Sequence, residues 1–170
     1  MSFGRLAFVP LALTLGACSY AYDVQAVVIN GRLAFVVDPH SQSNASCFNE
    51  VDVVADRAAR PNASVGDDLS RVSYGTYWHQ RLAYDCVDKF PIFYGQSFKG
   101  KALSDDSGTD VVTAKPLRMG VVYEISTVSG ATGYGSGAFK ILPDHRVINV
   151  PPPSMLDMED PPNKVGGSGR

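Results

Sequence analysis

The chain has 170 residues, with 15 basic against 17 acidic side chains and a formal net charge of −2. That length suits one domain, or one domain and a tail, and can enclose a sizeable core. No basic stripe runs along it, which argues against a nucleic-acid partner, and 16 Gly and 11 Pro beside many Val, Tyr, Phe and Thr favour strands and turns over helices.

Residues 1–17 have the layout of a secretory signal: Arg5 is the sole charge, Leu6 to Leu15 is apolar except at Pro10 and Thr14, and Gly16 and Ala17 are small. The run is well short of the ~20 residues that span a bilayer. A plain secretory signal cut after Ala17 has this form too. The closing Leu15-Gly16-Ala17-Cys18, however, resembles the lipobox of bacterial lipoproteins, which is cut before its cysteine. The resemblance implies that Cys18 becomes the first residue, carries a thioether-linked diacylglycerol and an N-acyl chain, and anchors the chain in a membrane of the bacterial cell envelope. Several acyl chains anchor durably where one anchors marginally. Ser19 follows the cysteine in place of Asp, which in enterobacterial lipoproteins favours the outer membrane, facing the periplasm.

With Cys18 lipidated, Cys47 and Cys86 remain as a pair in an oxidising compartment. A structural disulfide is favoured over a redox pair or metal ligands, because the spacing is not Cys-x-x-Cys. The expected divisions are the signal at 1–17, a short tether at 18–23, a β domain at 24–150 and a Pro/Gly-rich disordered tail at 151–170.

Along the domain, Val24–Ile29 and Arg32–Val37 flank Asn30-Gly31, a hairpin signal because both positions of a type I′ turn need positive φ. Asp38 to Ala45 is rich in turn residues. A strand is expected from Cys47 to Val54, running into a short helical turn through Ala59 and stopped by Arg60-Pro61-Asn62. Asn44 and Asn62 open Asn-Ala-Ser sequons that in a bacterial lipoprotein mean polar loops. Between Tyr74 and Phe98 the chain concentrates Tyr74, Tyr77, Trp78, Tyr84, Phe90, Phe93, Tyr94 and Phe98. Core packing is the first account of these rings; the alternative is a partner surface made by Tyr74, Tyr77, Trp78 and Tyr94. Short strands follow at Val111–Thr113 and Val121–Thr127, with Val121, Tyr123 and Ile125 on one face. The Gly-rich stretch from Ser129 to Gly137 reads as a mobile hairpin loop, and Ala138–Leu142 and Val147–Val150 flank a turn at Pro143–Arg146. Met155-Leu156-Asp157-Met158 in the tail reads as incidental, with a short docking motif as the alternative.

These elements make a mainly β domain of about 7–9 short strands, an antiparallel sandwich or a barrel-like form, with an immunoglobulin-like arrangement open. Tyr84-Asp85-Cys86 has the spacing of a tyrosine corner, but Trp78 lies far after Cys47 and close before Cys86, the reverse of immunoglobulin domains. His40, His79 and His145 are isolated, Asp67-Asp68 and Asp105-Asp106 read as solvated loop pairs rather than calcium ligands, and no hydrolase signature is present. No catalytic, cofactor-binding or metal-binding residue is therefore expected.

The lipobox, then Asn30-Gly31-Arg32-Leu33-Ala34-Phe35, a mid-chain Cys86, Leu117-x-x-Gly120-x-x-Tyr123 and Phe139-x-Ile141 come in an order similar to small periplasmic lipoproteins of the type VI secretion immunity kind. That resemblance implies an immunoglobulin-like β fold that binds and blocks a toxin delivered into the periplasm; the aromatic middle and Pro-rich tail depart from its pattern. The expectation is a non-enzymatic protein-binding lipoprotein, with a structural lipoprotein touching cell wall or outer-membrane components as the alternative.

Overall fold

The computed structural model describes residues 19–82, 86–100, 103–105 and 108–151. The lipobox with Cys18, the ring of Tyr84, Asp106 and the tail beyond Pro151 lie outside these residues. In chain order the elements are β1 (Tyr20–Ile29), β2 (Arg32–Val37), β3 (Cys47–Phe48), β4 (Glu50–Ala55), a 3-10 turn (Arg57–Ala59), helix α1 (Leu69–Ser73), β5 (Thr76–Arg81), β6 (Asp88–Lys89) and β7 (Ile92–Phe93). They continue with β8 (Ser104–Asp105), β9 (Gly108–Thr109), β10 (Val111–Val112), β11 (Val122–Ser129), β12 (Gly133–Ile141) and β13 (Val147–Val150).

The β1–β2 hairpin turns at Asn30 and Gly31 with φ of 51° and 74°, as the Asn-Gly signal requires. Alternation then sets the faces. In β4, Val51, Val53 and Ala55 are buried in the core while Glu50, Asp52 and Val54 take the other face. One sheet in the order β10-β5-β4-β11-β12-β1-β2-β7, with β13 also on β12, curls into a half-barrel. This is the barrel-like form of the expected β domain. One main sheet with a parallel β1–β12 pairing, beside the small β3–β6 and β8–β9 pairs, differs from the two antiparallel sheets of an immunoglobulin-like sandwich.

β1 begins at Tyr20, not at Val24. Tyr20–Asp23 pairs in parallel with Gly133–Ser136, and Val24–Ile29 pairs antiparallel with β2. Residues 20–23 of the segment expected as tether are therefore sheet. The signal for it lies in the sequence: Tyr20, Tyr22, Val24 and Ala26 alternate inward at period two.

The stretch expected as a Gly-rich loop is also mostly strand, with only Gly130 to Thr132 forming the turn. Gly133, Gly135 and Gly137 share one face of β12. A Cβ at Gly133 would stand 2.4 Å from the Tyr20 ring, one at Gly135 2.3 Å from both the Tyr22 ring and Thr127 Oγ1, and one at Gly137 2.0 Å from the Val24 carbonyl oxygen. Rings from β1 thus fill the space that β12 leaves empty, an aromatic–glycine pairing across strands. Past Gly137 the partner of β12 becomes β13, and the Asn149 side chain restores the seam: its Oδ1 accepts from the Ala26 N–H at 2.7 Å and its Nδ2 donates to the Ala26 carbonyl at 3.0 Å.

Between the outer strands β7 and β10 the half-barrel is tied by a side chain. The half-buried Tyr94 hydroxyl donates to the Lys115 carbonyl at 2.8 Å, with the Tyr77 carbonyl at 3.4 Å. Burial pushes the Tyr94 hydroxyl pKa up, which keeps it a donor. The core is a run of touching rings: Tyr77, Tyr123, Phe139, Phe35, Tyr94, Trp78, Phe98, Phe48, Phe90, Tyr22 and Tyr20, with neighbouring centroids 5.0 to 6.4 Å apart. Each such edge or offset contact adds roughly 0.5–1.5 kcal/mol to area burial.

Candidate functional site

The register gives the half-barrel two ends. Ser129, the β11–β12 turn, Glu50 and Tyr20 lie at one; Ala55, Tyr123 and Ile141 lie at the other. Along β11 that separation is roughly 20 Å, at about 3.4 Å per residue.

The first end carries the start of β1. The Tyr20 N–H donates to the Thr132 carbonyl at 3.0 Å and its hydroxyl to Ser129 Oγ at 3.2 Å. Cys47 and Cys86 form a disulfide with Cα atoms 5.2 Å apart, beside the antiparallel β3–β6 pair. Cys86 Sγ accepts from the Gly130 N–H at 3.2 Å, so the disulfide abuts the same turn. Only Ser19 lies between this assembly and Cys18.

The aromatic cluster divides. Tyr77 and Trp78 are 1% and 3% exposed and belong to the core, and Tyr94 is half-buried with its hydroxyl spent on the β7–β10 tie. A partner surface of four rings is therefore corrected to one exposed ring, Tyr74 at 56%. Register explains the division: Trp78 pairs with the inward Val53, and the irregularity between Val53 and Val54 leaves Tyr77 unpaired, so both neighbouring rings reach the core.

At the second end a cavity of about 480 Å³ is lined by Arg60, Pro61, Ser64, Tyr77, Lys115, Pro116 and Arg118 among others. Its polar groups are built into the fold. Lys115, 5% exposed, donates to Ser64 Oγ at 2.6 Å, to Thr113 Oγ1 at 3.0 Å and to Asp67 Oδ2. Asp67 also accepts from the N–H and Oγ1 of Thr113, both at 2.9 Å. Burial raises the Asp67 carboxyl, but Lys115 and these donors outweigh it and hold the pKa down to about 2. Asp67 is thus a buried ion-pair partner rather than a solvated loop residue, and Asp68 caps α1 by accepting from the Ser70 and Arg71 N–H groups. Arg118 donates from Nε to the Tyr77 hydroxyl at 2.8 Å and from Nη2 to the Arg60 carbonyl at 3.0 Å and to the Ala59 carbonyl. The sequence pointed to none of these cations, since Arg60, Lys115 and Arg118 meet only through β4–β5 pairing and the loop before β11.

On the outer face of β4 and β5, His79 is fully buried with Nε2 3.4 Å from Asp110 Oδ1 and Nδ1 3.8 Å from Asp52 Oδ1. Neither ring nitrogen makes a well-formed hydrogen bond among the described residues, nor does Asp52 Oδ1. Arg71 of α1 closes over the group, donating to both Asp110 oxygens and lying 3.5 Å from Asp52 Oδ2. Burial raises the Asp52 pKa to about 7, with Arg71 opposing and Glu50 and Asp110 adding. Burial, reinforced by Arg71, lowers that of His79 to about 4, with Asp110 opposing. Between about pH 4 and 6.5 the folded pair holds its proton on Asp52, whereas unfolded chains, with pKa values of 3.8 and 6.5, hold it on histidine. Both states bind one proton there, so the pair adds no slope to stability in that window. Asp52→Asn is expected to remove the compensation: stability then rises with pH between about 4 and 6.5, by up to about 1.4 kcal/mol per pH unit. Urea midpoints of both proteins across this range check it, and parallel profiles would count against the proton assignment.

Compared with known proteins, the chain matches no protein-family model, no curated protein and no solved structure.

Proposed function

We propose that the chain is a lipid-anchored protein of the bacterial cell envelope, held through Cys18 in a membrane facing the periplasm, that binds a protein partner and catalyses no reaction. What carries the reading is the start of the sheet at Tyr20. The cysteine of the lipobox-like run stands two residues before the first strand, so cleavage before it leaves β1 whole. The disulfide beside the same end suits an oxidising compartment. The histidine that lies near carboxylates, His79, has no exposed surface for a substrate to reach. Blocking of a periplasmic toxin is the narrower form of this reading and rests on the order of sequence signals alone.

Metabolic labelling with a fatty acid tests the anchor. The wild type is expected to take up label and partition with membranes, and Cys18→Ala is expected to lose essentially all of both. Equal labelling of the two proteins would sink the proposal. For the binding role, envelope extracts passed over the immobilised protein are expected to yield one specific partner.

A further inference from the structure

Two arginines at the far end of the half-barrel share one cavity with no carboxylate paired to either among the described residues. Ion pairs among the described residues engage Arg71, Arg81, Lys115 and Arg146, but neither Arg60 nor Arg118. Lys115 is neutralised by Asp67. Arg118 is held by neutral acceptors alone, the Tyr77 hydroxyl and two backbone carbonyls, and its Nη1 makes no hydrogen bond among the described residues. Such acceptors fix a guanidinium in place while leaving its charge uncompensated, which prepares it for an anion. The chain as a whole is negative, so this end stands out as a local positive site.

Shape narrows the anion. Pro61 and Pro116 line the cavity as rigid walls, and the Tyr77 hydroxyl is committed to the Ala59 carbonyl and to Arg118. Arg60, whose fork is unbonded among the described residues, can take a carboxylate in two-pronged fashion, and Arg118 adds its charge and its Nη1 beside it, a pair that fits an extended polypeptide bearing carboxylates. Position excludes the nearest other source of anions. The cavity lies at the Ala55–Tyr123 end, roughly 20 Å along the strands from Tyr20, so lipid headgroups at the anchor cannot fill it.

We infer that the Arg60–Arg118 cavity binds an acidic segment of a partner protein, its Asp or Glu carboxylates pairing with the two guanidiniums. The inference rests on the protein-binding reading above and names the partner's chemistry. With the lipid at one end and the cavity at the other, the partner is met on the side facing away from the bilayer.

The test uses full-length protein in detergent and fluorescein-labelled octaglutamate, followed by anisotropy, with octaglutamine as the neutral probe. Octaglutamate is expected to bind the wild type and octaglutamine not to bind. Raising salt from about 0.05 M to about 0.5 M is expected to weaken binding at least tenfold. Arg60→Glu, whose exposed side chain makes no bond among the described residues, is expected to weaken it at least tenfold with an unchanged melting temperature. Lys89→Glu, at the opposite end, is expected to leave it unchanged. Arg118→Gln should act like Arg60→Glu but is secondary, because it also frees the Ala59–Arg60 backbone. Equal binding by Arg60→Glu, or equal binding of octaglutamine, overturns the inference. So does tighter binding of inorganic tripolyphosphate, which makes the site one for phosphates. Binding of octaglutamate only after removal of residues 152–170 overturns it as well, since the acidic Asp157 to Asp160 stretch of the chain would then be the occupant. Because the measurement is made in detergent, its failure is distinct from failure of the Cys18 labelling.

Discussion

Gly137→Val is expected to leave little or no folded protein. At this position the β1 backbone passes so close to β12 that a Cβ would stand only 2.0 Å from the Val24 carbonyl oxygen, and backbone cannot swing aside as a side chain can. Relief requires lifting β1 from β12, which gives up the parallel pairing of Tyr20–Asp23 with Gly133–Ser136. At about 1 kcal/mol for each of several ladder hydrogen bonds, plus about 1–3 kcal/mol of overpacking, the loss reaches roughly 4–6 kcal/mol. Domains of this kind have only about 5–15 kcal/mol to lose. Gly135→Ala is expected to be milder, since its Cβ meets the Tyr22 ring and Thr127, and the hydrogen bond between them (2.8 Å) can break first. Ser136→Ala, on the exposed face between the two glycines, is expected to stay within about 0.5 kcal/mol of wild type. Urea unfolding followed by the fluorescence of Trp78, packed against Tyr94 and Phe98, measures all three. A wild-type midpoint for Gly137→Val would show that β1 does not cross β12 there.

Loss of the Cys47–Cys86 bond is the second large effect. The two residues are 39 apart in sequence, and closing a loop of that size removes unfolded-chain entropy worth about 4 kcal/mol. The bond also joins β3 and β6, each only two residues long, to the turn after β11 through the Gly130 N–H on Cys86 Sγ. The double variant Cys47→Ala/Cys86→Ala is therefore expected to melt roughly 8–16 °C below wild type, at about 2–4 °C per kcal/mol. Reduction of the wild type with dithiothreitol is expected to give a similar shift and to leave the double variant unmoved. A reductant-sensitive melting temperature in the double variant would locate the effect elsewhere.

Local chemistry announced some of this architecture and concealed the rest. The Asn30-Gly31 hairpin, the strands of β4 and β11 and the Cys47–Cys86 pair were all readable, because each depends on a turn residue, an alternation or a count. The first half of β12 was not, since Gly133, Gly135 and Gly137 carry no side chains to alternate. Their strand character belongs to Tyr20 and Tyr22 on the neighbouring strand, more than a hundred residues earlier. The fate of the aromatic middle was legible in kind, as core, but not ring by ring: a bulge between Val53 and Val54 resets the register opposite Tyr77. Asp67 looked solvated because its partners Lys115 and Thr113 lie 46 to 48 positions away. The basic cavity was hidden for the same reason, as Arg60 and Arg118 stand 58 residues apart.

The parallel pairing of β1 with β12 has a mechanical consequence. In the arrangement proposed above, a pull between anchor and partner would enter at Ser19 and run lengthwise along β1. Its hydrogen bonds to β12 over Tyr20–Asp23, and to β2 over Val24–Ile29, then lie across the force and are strained together in shear. Had the chain entered from the side of a hairpin, the same bonds would open singly, like a zipper. Entry along the strand lets this domain bear tension applied at Ser19.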